Sequence, residues 1–435
     1  MKKIILLIFV FLSLCANTQN VEKTKERIAK LTSEDFFGRG YVKNGVNKAA
    51  DYLAEEFKTI GVKPFYGNSY FQDYSFPITS FPKDAVVKID GKKLALGKDF
   101  IIRAGSPAIK GNFKLYYIDS ITQNDSLIFR KLLTENDLHN YFLVIDDSKF
   151  RKGELINCNN FIKKNGTKHK AVIELKSNEL MGTVSTKTFA SPKVEIKKDA
   201  FPEDAKTISI NVKSQLYNNF PTKNLIAYIE GEIKDTFFVF SAHYDHIGGL
   251  GNSVFVPGAQ DNASGTALVL DLADYYLKNK PKYSLAFMLF SGEEAGLLGS
   301  YFYSQNPLFD LKKIKFLINL DMVGTGDDGF TIVNGDTENI KKDSSILSRF
   351  KNAKDLIINI NDENKYFPED KIKFRGQAPN SDHYPFFEKD VPCFFIYTMG
   401  GKTYYHNTKD RLETLTFTGY NQLFNILINF TKRYE

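Results

Sequence analysis

Apolar residues change their spacing twice along this chain, dividing it into three stretches. From Glu22 to about Phe65 the spacing is helical. In "NKAADYLAEEFKTIG" Ala49, Ala50, Leu53, Phe57 and Ile60 recur three and four apart, and Gly61 supplies a stop. From about residue 85 to 212 short alternating or apolar runs ("AVVKI", "FKLYYI", "YFLVI", "KAVIEL", "TISINV") stand between Gly, Asn, Asp and Lys clusters. That texture predicts a mostly β module with one or two short helices. From Asn224 onward the runs become almost continuously apolar: "NLIAYIEG", "TFFVFSAH", "SLAFMLFSGEE", "KFLINLDMVG" and "VPCFFIYTMGG". Strands apolar on both faces, alternating with helical stretches such as "GTALVLDLADYYLKN", predict an α/β fold whose mostly parallel central sheet is sandwiched by helices. The Asn-, Asp- and Lys-rich span 336–370 reads as an irregular excursion with one helix, and no internal repeat is visible.

The first residues, "MKKIILLIFVFLSLCANTQN", break this pattern. A short basic start, an apolar run from Ile4 to Leu14 and then small and polar residues read as a secretory signal, cleaved after Ala16 or Thr18. The run is too short to span a bilayer, and no later segment is long and apolar enough to do so. The expectation is an exported protein, periplasmic or extracellular. A lipid anchor on Cys15 is disfavoured by the bulky Leu14 before it.

Composition narrows the picture further. With 435 residues, 43% hydrophobic and 25% charged, the chain is long enough for two or three domains with large cores. The net charge of +7 is spread along the sequence, with no basic stripe interleaved with aromatics, so nucleic acid is not an expected partner. Once Cys15 leaves, only Cys158 and Cys393 remain, which is no disulfide framework. Cys393, inside "CFFIY", reads as a small buried hydrophobe.

The chemistry lies at the strand ends. After "TFFVF" come His243 and Asp245; after "SLAFMLF", Glu293 and Glu294; after "KFLINL", Asp321; after "CFFIYTMGG", Tyr405 and His406. Asp261, in "GAQDNASG", stands just ahead of a helix. Open α/β sheets bind ligands in the crevice beyond the carboxyl ends of their strands. Each residue alone has an ordinary explanation: Asp261 as a helix cap, the glutamates as first-turn acids, His406 as a hydrogen-bonded histidine. Asp321 is harder to dismiss, because an unpaired carboxylate ending a buried strand carries a large desolvation cost. Together the ordinary explanations require five coincidences at equivalent ends of one sheet.

Two histidines and three carboxylates make a ligand set for two divalent metals, most naturally zinc, with one acid bridging. Glu293, next to a ligand but spare, then becomes the general base that takes a proton from an activated water. Asp245, two residues beyond His243 on an extended strand, faces the same way and is placed to fix the imidazole tautomer.

These stretches resemble the M28 family of co-catalytic zinc exopeptidases, in its leucyl-aminopeptidase-like branch. The family's motifs appear in order as "SAHYDHIG", "GAQDNASG", "SGEEAGLLGS", "LDMVG", "NSDHYPF" and "YYHNTKD", across about residues 221–435. The earlier "EDFFGRG…NKAADYLAEEFKTIGVKPF" is similar to the segment that packs on that domain. The resemblance implies that His243 and Asp321 hold one zinc, Glu294 and His406 the other, and Asp261 bridges them. Glu293 is the implied base and Asp245 the residue that orients His243. Asp382 and His383 match a motif near the site without a defined role. Gln260 departs from the family's usual Asn or Asp, and His246 matches a common variant and is not read as a ligand. The expected organisation is a signal peptide over 1–18, an N-terminal helical segment over 19–84, a protease-associated-like β-rich insert over 85–220 and the peptidase domain over 221–435.

The implied activity is removal of N-terminal residues from peptides with a free N-terminus. Glutaminyl cyclase or carboxypeptidase chemistry on the same fold is the alternative, yet cyclases depart from the paired-glutamate motif that "SGEEAG" retains. A non-catalytic binding protein is a third reading, but such descendants usually lose a ligand or the base, and none is lost here. N-terminal preference and oligomeric state are not legible.

Overall fold

The computed structural model describes residues 19–435 apart from 66, 119–124, 126, 129–130, 133–136, 150–168 and 403. The expected leader over 1–18 and Cys158 lie outside the described residues.

Four parallel strands form the centre of the molecule: Tyr283–Phe290, Ile233–His243, Ile314–Leu320 and Cys393–Thr398, adjacent in that order. Every residue of Tyr283–Phe290 is buried, as a strand covered on both faces requires. The sheet reaches nine strands by additions at both edges. On one side Gln215–Ile229 pairs antiparallel with Tyr283–Phe290, and its far edge takes Phe71–Ser80 and the short Lys63–Pro64. On the other, Phe330–Val333 runs antiparallel to Cys393–Thr398 and parallel to Ile372–Arg375. The sheet is therefore parallel at its core and mixed at its margins.

Helices Gly45–Ile60, Ser264–Lys278, Leu298–Gln305, Ser344–Asn364 and Tyr420–Arg433 accompany this sheet in one continuous apolar core. The first follows its sequence pattern: Ala49, Ala50, Leu53, Phe57 and Ile60 are buried, and Gly61 ends the helix at a left-handed φ of 97°. Ahead of it, helix Val21–Leu31 is fastened by a buried polar cluster. Asp271, on helix Ser264–Lys278, accepts from Arg27 (2.5 Å), Thr24 (2.6 Å) and Gln19 (2.7 Å). The 19–84 segment is thus bound to the α/β part, though it is not all helical, because Phe71–Ser80 is a sheet strand.

Between residues 86 and 212 the chain builds a separate eight-stranded sheet with its own apolar cluster. Its interior pairs, from Ile109–Tyr117 through Leu138–Asp146 and His169–Lys176 to Lys193–Lys197, are parallel. The long strand Gln215–Ile229 runs through position 220, so the sheet rather than the sequence texture marks where this module ends.

Candidate metal centre

The parallel strands end side by side, and their carboxyl ends carry the ionisable groups. His243 is the last residue of Ile233–His243, and Asp321 directly follows Ile314–Leu320. Glu293 and Glu294 come just beyond Tyr283–Phe290, and His406 lies in the loop after Cys393–Thr398. Asp261 sits in the turn before helix Ser264–Lys278. All of the sequence-predicted candidates therefore meet in one crevice.

Asp261 lies at its centre. One carboxylate oxygen is 3.3 Å from His243 Nε2 and the other 3.1 Å from His406 Nε2. His243 Nε2 is also 3.3 Å from Asp321, and His406 Nε2 is 3.0 Å from Glu294. Two donor clusters result, His243–Asp261–Asp321 and His246–Asp261–Glu294–His406, each with its donor atoms within 4.8 Å of one another. His406 Nε2 is buried and close to carboxylate oxygens of both Asp261 and Glu294. Imidazole nitrogens and carboxylate oxygens gathered this closely fit a divalent metal such as zinc.

His246, not read as a ligand from the sequence, lies among the donors of the second cluster. It is fully buried, and its Nδ1 lies 2.7 Å from Glu294 Oε1, inside the second cluster. The strand stops at His243, so the alternation that would put 246 on the face opposite 243 does not extend to it. Asp245 also differs in detail. The closest partner of His243 Nδ1 is the backbone carbonyl of Asp245 at 3.1 Å, whereas the Asp245 carboxylate is 3.7 Å away. That carboxylate instead accepts the backbone N–H of Glu293 at 3.2 Å, tying the two strand ends together.

Behind the donors runs a buried polar relay. Ser241 donates to Asn319 (2.8 Å), Asn319 to Ser381 (2.8 Å), and Ser381 to Asp321 (2.7 Å), leaving the other Asp321 oxygen to His243. Gln260, the departure from the family pattern, accepts the Gly324 N–H and donates to the Met322 carbonyl, bracing the loop after Asp321 rather than facing the donors. Asp382 accepts from Ser300 at 2.5 Å, and His383 is buried against Phe395.

Electrostatics follow from this crowding. Burial, together with the charges of Glu294, Asp321 and Asp382, holds the Glu293 carboxyl well above the usual range despite His243 nearby. Burial and neighbouring acids likewise push Asp382 to about 7. Burial also opposes ionisation of Glu294, but His406 and the His246 hydrogen bond outweigh it and bring Glu294 to about 2. His406 rises to about 11 against its own burial, because Glu294 and Asp261 surround it. Glu293 is thus the one carboxyl of the adjacent pair that is primed to hold a proton.

Beside Glu294 and His406 opens a cavity of about 190 Å³ whose other wall comes from Arg103, Val184 and Phe189 of the second sheet and its loops. The same module contacts the His406 loop directly: Gly182 N–H donates to the His406 carbonyl (2.8 Å), and Asn407 to the Leu180 carbonyl (2.8 Å).

A parallel sheet with carboxylate–imidazole clusters at its carboxyl ends is the framework of a metal-dependent hydrolase. Residues 224–431, just under half of the chain, match Peptidase family M28. Among curated relatives, aminopeptidase YwaD of Bacillus subtilis is 29% identical over 245 residues, 52% of this chain and 47% of its own. A probable zinc metalloprotease of Pyrenophora tritici-repentis is 37% identical over 112 residues, 25% of this chain and 26% of its own. The chain thus spans about half the length, or less, of these curated relatives. Among solved structures, BSAP, a zinc aminopeptidase from Bacillus subtilis, aligns over 95% of this chain and 94% of its own with a TM-score of 0.68 at 20% identity. The aminopeptidase from Aneurinibacillus sp. strain AM-1 aligns over 96% and 94% with a TM-score of 0.64, also at 20% identity. At that identity these two structures speak to the fold.

Proposed function

We propose that the protein is an exported di-zinc aminopeptidase that removes N-terminal residues from peptides. The observation that carries this reading is the pair of donor clusters sharing Asp261, with Glu293 beside them and outside both. His243 and Asp321 would hold one zinc, Glu294 and His406 the other, and Asp261 both. Two zinc ions, when bound, acidify a water and polarise the scissile carbonyl. Glu293 takes the proton of the attacking water and returns it to the leaving amine, the role its raised proton affinity suits. Asp245 holds the Glu293 backbone in place, and its own carbonyl sets the His243 tautomer. His246 keeps Glu294 in one orientation through a hydrogen bond to Oε1, so that Oε2 faces His406.

A free N-terminal residue would place its side chain in the cavity beside Glu294 and His406, which gives the second sheet a part in selecting substrates. Export rests on the basic, apolar and small-residue succession of residues 1–18. No helix among the described residues is long and apolar enough to cross a membrane.

Hydrolysis of a panel of aminoacyl-chromogenic substrates, with and without chelator and beside Glu293→Gln, tests the reading. Zinc-restored turnover that collapses in the variant supports it. A zinc-loaded protein that leaves every free-amine substrate intact but cleaves blocked or carboxyl-terminal substrates would replace it.

A further inference from the structure

Arg39 lies in the "FGRG" turn of the N-terminal segment, outside the residues that match the family, and is among the largest fully buried side chains of the molecule. Its guanidinium donates to five backbone carbonyls: Tyr244 (2.8 Å), Leu31 (2.9 Å), Pro257 (2.7 Å), Gly258 (2.7 Å) and Asp261 (3.3 Å). Among the described residues it forms no ion pair with any carboxylate. A buried cation without a partner is expensive, so such a group ordinarily sits against an acid. Here the offset comes at longer range from Asp410, Asp261, Asp245 and Glu294, most of them acids of the proposed metal centre, and the guanidinium stays charged at neutral pH.

Three of the five carbonyls belong to the loop that carries Asp261. Asp410 holds the amide side of the same loop, accepting from Gln260 N–H (2.9 Å) and Asp261 N–H (3.2 Å). Arg39 thus holds the loop by its carbonyls and Asp410 by its amides. Gly258 has a left-handed φ of 68°, and a Cβ there would lie 2.3 Å from the Asp261 carbonyl oxygen, 2.4 Å from the His246 ring and 2.7 Å from Arg39 Nη2.

We infer that Arg39 and Asp410 form a charged clamp on the Asp261 loop, and that these two positioning residues set the affinity of both metal positions at once. The inference rests on the di-metal reading above. Its signature is particular, because Asp261 belongs to both donor clusters whereas His243, Asp321, Glu294 and His406 each belong to one. Displacing the loop therefore loosens both positions together, while a fault elsewhere in the site loosens one.

The test compares the wild-type protein with Arg39→Met, Arg39→Lys and Asp410→Asn. Both stepwise zinc dissociation constants are measured by competition with a chromogenic chelator, beside the visible spectrum of the cobalt-loaded protein and the melting of the metal-free protein. Arg39→Met is expected to weaken both steps at least tenfold and to alter the cobalt spectrum. Arg39→Lys, with three donors for five acceptors, and Asp410→Asn, which keeps one accepting oxygen, are expected to weaken both steps by smaller factors. Lower melting with both constants within twofold of wild type would show a merely structural role and overturn the clamp. If Arg39→Met does not fold, Arg39→Lys and Asp410→Asn decide: unchanged constants and an unchanged spectrum in both overturn it. A wild-type protein that binds no zinc would instead overturn the di-metal reading, so the two failures are distinguishable.

Discussion

The two sheets of this molecule treat buried charge in opposite ways. In the 86–212 module each buried acid on the inner strands has cationic partners. Glu174, with 4% of its side chain exposed, meets Lys176 at 2.9 Å and Lys193, and Glu195 meets Arg103 at 3.2 Å. At the carboxyl end of the larger sheet, Asp245, Asp261, Glu293, Glu294, Asp321 and Asp382 share one crevice, and none of them pairs with a lysine or arginine among the described residues. The histidines show the same divide. Burial drives His169 of the module down to about 4, whereas acids drive His406 up to about 11. Structural charge is paired on the spot; charge left to imidazoles and to each other marks a candidate functional site.

The largest effect expected from breaking this contrast falls on Glu293. Glu293→Gln keeps size and hydrogen bonding but cannot shuttle a proton, so steady-state kinetics should show kcat down by about 10²–10⁴ with KM little changed. Next comes acid sensitivity in the module. The folded pKa of His169, about 4, lies below its unfolded value near 6.5, so the unfolded chain binds the extra proton first. Stability should fall as pH drops through that window, by about 3 kcal/mol in total, and denaturant melts of His169→Gln should lack this slope.

Smaller still is the loss of one partner of Glu174. Lys193→Met leaves it with Lys176 alone and should destabilise the protein by about 1–3 kcal/mol in denaturant melts without changing zinc content. The smallest effect has the opposite sign. In the crevice Glu293 must take up a proton to be buried among the other acids, a cost that glutamine does not carry, so Glu293→Gln should stabilise the metal-free protein at neutral pH by about 0.5–2 kcal/mol even as it slows turnover. If that substitution destabilises as Lys193→Met does, the contrast between the two regions fails.

His243, Glu294 and Asp321 stood out in the sequence because each is an ionisable residue at or just beyond a run that must be buried, whereas Asp261 precedes a helix and His406 lies in a loop well past its strand. What escaped depends on tertiary context. Phe71–Ser80 reads poorly as a strand because Pro77 interrupts it, and only the long Gln215–Ile229 partner makes it one. Phe330–Val333 and Ile372–Arg375 are four residues each, too short for any period to show. His246 was set aside as a common motif variant, and only the fold brings its ring against Glu294. Arg39 carries no pattern at all: a lone arginine in a glycine-flanked turn reads as surface until five carbonyls from three separate segments gather around it. The expected 85–220 insert runs into Gln215–Ile229, a strand of the larger sheet, which no change in sequence texture announces.

The central claim is that Asp261 joins two metal positions in one site. Metal analysis of the purified protein, and of Asp261→Ala beside it, after zinc loading and removal of free ion, tests this most directly. The account predicts two zinc ions per chain for the wild-type protein and the weakening of both in the variant. One ion or none in the wild-type protein, or a variant that still holds one zinc as tightly as before, would contradict it.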